Sequence, residues 1–185
     1  MWVKCALLYT AFGCFAAAIL GGLLGLLGVY TKAVLSPGLL ILLALVLAFR
    51  EWEWLTFRLP QCRLQTESNW AREFGFPTAS AMWGFHLGLG FFTYASHGGF
   101  LFLVGAALVI GSPIHSVLLM MVYWLGRAAS VWVAPFLWSG NDLGDLMQAI
   151  TNNRRRLHTV VGLTLLWASI AILCLRLLWT GGSLK

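Results

Sequence analysis

Polar side chains that could do chemistry are few in this sequence, and most of them fall within two long apolar stretches. In the first stretch, His86, Gly90, Thr93 and His97 recur at intervals of four, three and four residues, which places them on one face of a helix. Polar groups that face hydrocarbon are costly. We therefore expect this stripe to face a bundle interior or a water-filled cavity, where interhelical hydrogen bonding and a path for a solute or proton both fit.

The second stretch carries a similar stripe around an arginine. Ser116, Tyr123, Arg127 and Ser130 are spaced seven, four and three residues apart, again on one helical face. A membrane arginine costs at least about 2.5 kcal/mol on insertion scales, and its charge cannot be removed by deprotonation. We predict that Arg127 points into the bundle and contacts the first stripe, as a structural clamp or a binding residue. The candidate residues of a solute path are His86, Thr93, Tyr94, His97, Ser116, Tyr123, Arg127 and Ser130.

Other chemistries find little support in the sequence. His86 and His97 lie three turns apart, roughly 16 Å along a straight helix, which is too far to share one metal ion. The sequence contains no phosphate-binding glycine loop and no His-Glu-x-x-His motif, and we place every acidic residue outside the apolar spans. We therefore predict no catalytic residue, no cofactor and no metal site. The cysteines form no CxxC pair: Cys5, Cys14, Cys62 and Cys174.

The elements that must position both stripes are predicted to be membrane-spanning helices. Of the 185 residues, 60% are hydrophobic and only 10% are charged, whereas a soluble domain carries about a quarter charged residues. A spanning helix needs about 20 mainly apolar residues. The predicted fold class is all-α, a polytopic bundle of about five transmembrane helices that forms one domain over residues 1–185. The predicted spans are 5–30, 34–49, 79–110, 114–138 and 157–179.

Glycine and proline mark the predicted ends and breaks of these spans. The Ser-Pro-Gly segment at 36–38 and the Gly-Ser-Pro segment at 111–113 predict turns before the second and fourth helices. The stretch at 79–110 is longer than one straight crossing requires. Its Ser-His-Gly-Gly segment at 96–99 predicts a break in the third helix, because paired glycines weaken helix continuity.

Basic residues predict the orientation of the chain. With five spans, one face would hold eight of them, and the positive-inside rule assigns that face, with the N-terminus, to the cytoplasm of a plasma (inner) membrane. The net charge of +6 therefore indicates lipid, and not nucleic acid, as the partner. These residues are Lys4, Arg50, Arg58, Arg63, Arg72, Arg154, Arg155 and Arg156.

The first span contains a seam of small residues. Ala17, Gly21 and Gly25 recur every four residues, a spacing that lets helix backbones approach closely in membranes. Close packing within the bundle is one interpretation. Contact with a protein partner or a second copy of the chain is the other.

The order of these features resembles the CcdA/DsbD type of membrane protein, which carries electrons between thiols and serves cytochrome c biogenesis. The segment 21–49, with its glycine run and Ser-Pro-Gly-Leu-Leu-Ile-Leu-Leu, is similar to that family's second and third spans. The run Gly-Phe-His-Leu-Gly-Leu-Gly-Phe-Phe-Thr-Tyr-Ala at 84–95 resembles the start of its fourth span. The segments 117–138 and 157–179, the latter with Val-Gly-Leu at 161–163, are similar to its fifth and sixth.

Two departures limit what this resemblance implies. The family's first span, with one reactive cysteine, has no counterpart here, and the second reactive cysteine would fall near Thr93-Tyr94-Ala95. Thiol exchange requires a thiolate, so the resemblance implies the scaffold without the thiol chemistry. We expect a membrane protein that moves a small solute or supports a membrane redox or cytochrome assembly system. The alternative is a non-catalytic structural subunit of a larger membrane complex.

Overall fold

The computed structural model describes residues 1–31, 36–57, 69–90, 98–137 and 153–181. Within these ranges the fold is all-α, as predicted, and three helical segments are long and apolar enough to cross a membrane: Trp2–Thr31, Pro113–Val133 and Arg155–Cys174. The predicted total of five crossings remains a prediction. The described helices are α1 (Trp2–Thr31), α2 (Pro37–Glu51), α3 (Trp70–Phe74), α4 (Phe76–Gly88), α5 (Gly99–Ile110), α6 (Pro113–Leu137) and α7 (Arg154–Gly181).

The small-residue seam of α1 packs against α6 in the same chain. A Cβ atom added to Gly21 would lie 2.5 Å from the carbonyl oxygen of Ser116, and one added to Gly25 would lie 2.6 Å from Cα of Pro113. Ala17 is 2% exposed. The two helices run antiparallel, because residues increase along α1 as they decrease along α6. Close packing within the bundle is therefore confirmed, and the seam is covered by α6.

Helix α4 runs parallel to α1 and packs just as closely. A Cβ atom on Gly84 would lie 2.2 Å from the carbonyl oxygen of Tyr9, and one on Gly88 would lie 2.4 Å from that of Gly13. Glycines on both helices thus let the two backbones approach each other. The core of this part of the molecule lies between α1, α5 and α6, around Leu20, Ala107, Met120 and Trp124.

The apolar stretch at 79–110 forms two helices, which confirms the predicted break. Helix α4 ends at Gly88, Gly90 adopts a left-handed φ of 68°, and α5 begins at Gly99. The helix therefore ends earlier than the segment 96–99, of which Ser96 and His97 lie outside the described residues. The prediction that His86 and Gly90 lie on one helical face is therefore wrong, because α4 ends at Gly88 and does not include Gly90.

Helix α2 begins at Pro37, with Ser36 as its N-cap. Pro37 and Gly38, which were predicted to lie in a turn, are its first two residues. It runs antiparallel to α5 and α7. Leu47 lies against Gly98 at the start of α5, and Leu43 lies against Gly105 further along it. On the other side, Leu47 and Ala48 form a second core cluster with Leu165 of α7. The turn at 111–113 is also confirmed, since Gly111 is left-handed and α6 begins at Pro113.

Candidate functional site

A buried carboxylate lies where α2, α5 and α7 meet. The side chain of Glu51 is fully buried, and both of its oxygens have partners. Oε1 accepts hydrogen bonds from Arg50 Nη1 at 2.8 Å and from the backbone N–H of Gly98 at 2.8 Å. Oε2 lies 2.5 Å from Nδ1 of His158. The carboxylate of Glu51 is therefore contacted on both oxygens by groups from outside its own side chain.

The end of α2 places Glu51 in this position. The helix closes with a Schellman motif, in which Glu53 N–H donates to Arg50 O and Trp54 N–H donates to Phe49 O. Glu53 takes the left-handed position with φ 63°. The rings of Phe49 and Trp54 stack at 5.3 Å, the apolar contact that accompanies this motif. The helix therefore includes Glu51 as its last residue.

The other two elements bring donors of different kinds. Gly98 is the N-cap of α5, so its N–H is at the positive end of the helix dipole, which stabilises a nearby carboxylate. His158 lies in the second turn of α7, and its side chain is 16% exposed, close to the 18% of Arg50. The cluster formed by Arg50, Glu51, His158 and the Gly98 N–H thus joins three separate segments of the chain.

This cluster corrects the prediction that every acidic residue lies outside the apolar spans. The predicted second span ends at residue 49, which placed Glu51 outside it. The physical reason for the error is that α2 continues for two more residues and ends on a motif without glycine. Its buried residues Ala44, Leu47, Ala48 and Glu51 follow the i, i+3, i+4, i+7 pattern, a periodicity that would have located the carboxylate.

The structure gives a contact for each of three predicted path residues, all on α6. Ser116 is fully buried, and its hydroxyl donates to the carbonyl oxygen of Ala107 at 2.9 Å, which joins α6 to α5. The exposed hydroxyl of Ser130 donates to Arg127 O in its own helix. The ring of Tyr123 lies 5.7 Å from that of Phe100 on α5. None of these contacts by itself defines a solute path, and their role in one remains a prediction.

Arg127 is partly buried on α6, one turn after Trp124, whose ring contacts that of Tyr9 on α1. Thr93 and His97 of the first stripe lie outside the described residues, as does the neighbouring candidate Tyr94. The predicted contact between Arg127 and the first stripe therefore remains a prediction.

His86 lies beside an apolar groove between α1 and α4. Its ring contacts that of Trp70 edge to face at 5.2 Å. The groove has a volume of about 470 Å³ and exposes almost only carbon. Such a surface suits the acyl chains of lipid. Its lining residues are Phe12, Phe15, Trp70, Thr78, Ala81, Met82, Phe85 and His86.

Among the described residues, no group of three His, Cys, Asp or Glu side chains is placed to hold a metal ion. Cys5, Cys14 and Cys174 are free thiols, and Cys62 lies outside the described ranges. Comparison with protein-family models, with curated proteins and with solved structures finds no match for the chain. Membership of the CcdA/DsbD type therefore remains a prediction, and the buried Glu51 cluster is the candidate site on which a function can be built.

Proposed function

We propose that this protein moves a small solute across a membrane and that Glu51 is the gate of its path. The observation that carries the proposal is the fully buried Glu51 carboxylate, held between Arg50, His158 and the N-terminus of α5. An ionisable residue enclosed in a membrane bundle is a functional-site hypothesis by default. Helices broken within the bundle, with a half-helix N-terminus directed at an anionic group, are typical of transporters.

The position of the cluster supports this role. Helix α2 has 15 residues, a length of about 22 Å, which is shorter than the hydrocarbon core of about 30 Å. Its C-terminal residue Glu51 meets the second half of the broken helix at Gly98, within the packed part of the bundle. Displacement of the Glu51 carboxylate would break hydrogen bonds to α5 and α7 as well as to Arg50 of α2. A change at this single side chain would therefore affect polar contacts among all three helices.

The proposed setting is a plasma (inner) membrane, crossed about five times, with the N-terminus in the cytoplasm. Support comes from the alternating directions of the helices. Helix α1 is parallel to α4 and antiparallel to α6, and α2 is antiparallel to α5 and α7. The orientation is tested with Cys62, which should react with an impermeant maleimide only from the cytoplasmic side. Labelling of Cys62 from outside in intact cells would reverse the assignment.

Transport is tested in vesicles reconstituted with purified protein. The rate of vesicle swelling, followed by light scattering, is measured for glycerol, urea, formate and acetate. We expect at least one of these solutes to equilibrate faster than in protein-free vesicles. Glu51→Gln, which keeps the shape and removes the charge, should change that rate by about tenfold or more. Glu53→Gln, an exposed neighbour with the same chemistry, should leave it unchanged.

The alternative is a non-catalytic subunit of a larger membrane complex, in which the cluster serves only as a clamp. A specific feature favours it: α7 packs chiefly against α2 and turns apolar side chains outward, with Trp167 70% exposed. Swelling of every solute at the protein-free rate, with folded protein in the vesicles, would reject transport in favour of this alternative. A role in redox or cytochrome assembly rests only on the family resemblance.

A further inference from the structure

We infer that the groove between α1 and α4 binds one acyl chain of an anionic phospholipid and that Lys4 binds the phosphate of its headgroup. The groove is separate from the Glu51 cluster, and the inference does not depend on the proposed transport function. It rests on the shape of the groove, on its apolar lining and on the charge at one of its ends.

The groove follows one face of α4 from the first turn of that helix, and Phe12 and Phe15 of α1 form its opposite wall. Ring contacts bound it. The ring of Phe15 lies 6.4 Å from that of Phe85, and the ring of Trp70 lies 5.2 Å from that of His86. The lining residues of α4 recur at i, i+3, i+4, i+7 and i+8, the spacing of a single helical face: Thr78, Ala81, Met82, Phe85 and His86.

The dimensions of the groove fit part of an extended hydrocarbon chain. Its volume of about 470 Å³ lies within the range of about 300–1,000 Å³ that is usual for ligand sites. From Thr78 to His86 its wall on α4 is about 12 Å long at 1.5 Å per residue. A lipid chain gains little hydrophobic energy there, because it is already surrounded by hydrocarbon. Preference for one lipid over another must therefore come from the headgroup.

Lys4 lies at one end of the groove. The contact of Gly84 with Tyr9 fixes the register of the two parallel helices, and in that register Thr78 is level with Lys4 to within about one residue. Lys4 precedes Phe15 by eleven residues, or about three turns, so both lie on the same face of α1. The exposed side chain of Lys4 is therefore beside the end of the groove that Thr78 lines.

Two features of α4 favour an anion at this end. The exposed hydroxyl of Thr78 makes no hydrogen bond within the described part of the chain. The N-terminus of α4 has no side-chain cap among the described residues, and it is the positive end of the helix dipole. On α3, the exposed charges of Arg72 and Glu73 are of opposite sign, so Lys4 determines the net charge of this end.

Aromatic side chains support a position of this end at the membrane surface. Trp70 borders the groove, and Trp2 and Phe76 are exposed beside it. Tryptophan is enriched where headgroups meet hydrocarbon. The predicted orientation directs Lys4 to the cytoplasmic leaflet, which carries the anionic lipids. An anionic phospholipid thus matches both the apolar groove and the charge at its end.

The test is native mass spectrometry of the protein purified in an uncharged detergent. Equal amounts of phosphatidylglycerol and phosphatidylcholine are added, and the fractions of protein that carry one molecule of each lipid are compared. Wild type should prefer phosphatidylglycerol by about fivefold, the effect of one basic residue near anionic lipid. Lys4→Gln should lose this preference. Arg156→Gln, which removes the same charge from an exposed position on α7, should keep it.

A second pair of variants locates the acyl chain. Ala81→Phe fills the groove and should lower the fraction that carries phosphatidylglycerol by about tenfold. Val122→Phe adds a similar apolar bulk on an exposed part of α6 and should leave that fraction unchanged.

Equal binding of the two lipids to wild type would overturn the inference, and so would an unchanged preference in Lys4→Gln. Retention of phosphatidylglycerol by folded Ala81→Phe would show that the lipid binds elsewhere. A dimer of the wild type that is lost in Ala81→Phe would assign the groove to a second copy of the chain, which also contradicts the inference. If Ala81→Phe does not fold, the comparison of Lys4→Gln with Arg156→Gln decides, because both substitutions are at exposed positions.

Discussion

Substitution of Gly21 by alanine should separate α1 from α6 and destabilise the protein. The added Cβ atom would lie 2.5 Å from the carbonyl oxygen of Ser116 and 2.8 Å from Cα of Val117. Ordinary contact begins near 3.4 Å, so the two helices must move apart by about 0.9 Å at this point. Both clashing atoms belong to the backbone, and no side-chain rotation can relieve the contact.

The next residue provides a matched control. A Cβ atom on Gly22 would meet only the side chain of Val117, at 3.7 Å. Alanine at either position would gain the same helix propensity, about 1 kcal/mol. Overpacking costs about 1–3 kcal/mol, and it applies to Gly21→Ala alone. We therefore expect the free energy of unfolding of Gly21→Ala to be about 1–3 kcal/mol lower than that of Gly22→Ala.

The assay is unfolding by sodium dodecyl sulfate in mixed micelles, followed by far-ultraviolet circular dichroism. Gly22→Ala should unfold at or above the detergent fraction of wild type, and Gly21→Ala should unfold clearly below it. If Gly21→Ala proves as stable as Gly22→Ala, the close approach of α1 and α6 at Ser116 is incorrect, and with it the assignment of the seam to packing within the chain.

Four further outcomes are expected in the same assay or in vesicles. Glu51→Ala should lower the free energy of unfolding by about 1–3 kcal/mol, because it removes the acceptor of the buried Gly98 N–H; a loss below about 1 kcal/mol would mean that the cluster is not enclosed. Glu53→Gly should raise it by about 1 kcal/mol by relieving the left-handed conformation, and a decrease would contradict the Schellman motif. Trp124→Phe should lower the free energy of unfolding by about 1 kcal/mol more than the loss of packing alone, since the indole N–H donates to the α1 backbone at 3.1 Å; a variant as stable as wild type would argue against that bond. Arg127→Leu should insert normally but impair flux, with partial recovery in Arg127→Lys, and unchanged flux in Arg127→Leu would remove it from the path.

Much of the architecture follows from local sequence signals. The apolar composition predicts a membrane bundle, and proline and glycine mark where helices begin and end. The turn at 111–113 and the break within 79–110 were predicted correctly, because each depends on the backbone preferences of a few adjacent residues. The predicted turn at 36–38 was not: Pro37 and Gly38 are the first residues of α2. The small residues of α1 were recognised as a packing seam, since their four-residue spacing needs no knowledge of the partner helix.

The burial of the Glu51 cluster could not be predicted from short segments of the sequence. Glu51 reads as the start of a polar loop, because it follows Arg50 and is followed by Trp52 and Glu53. Its burial results from contacts with Gly98 and His158, which are 47 and 107 residues away in the chain. The same limit applies to the hydrogen bond from Ser116 to Ala107 of α5, which the spacing on α6 does not indicate.

The sequence alone thus indicated a helical membrane protein and marked where its backbone turns, because these features depend on composition and on neighbouring residues. Only the tertiary structure decided which polar groups are enclosed. A carboxylate can remain in a packed bundle when donors from other elements satisfy both of its oxygens. For Glu51 those donors come from two helices distant in the chain as well as from its own neighbour, and their convergence is a property of the fold.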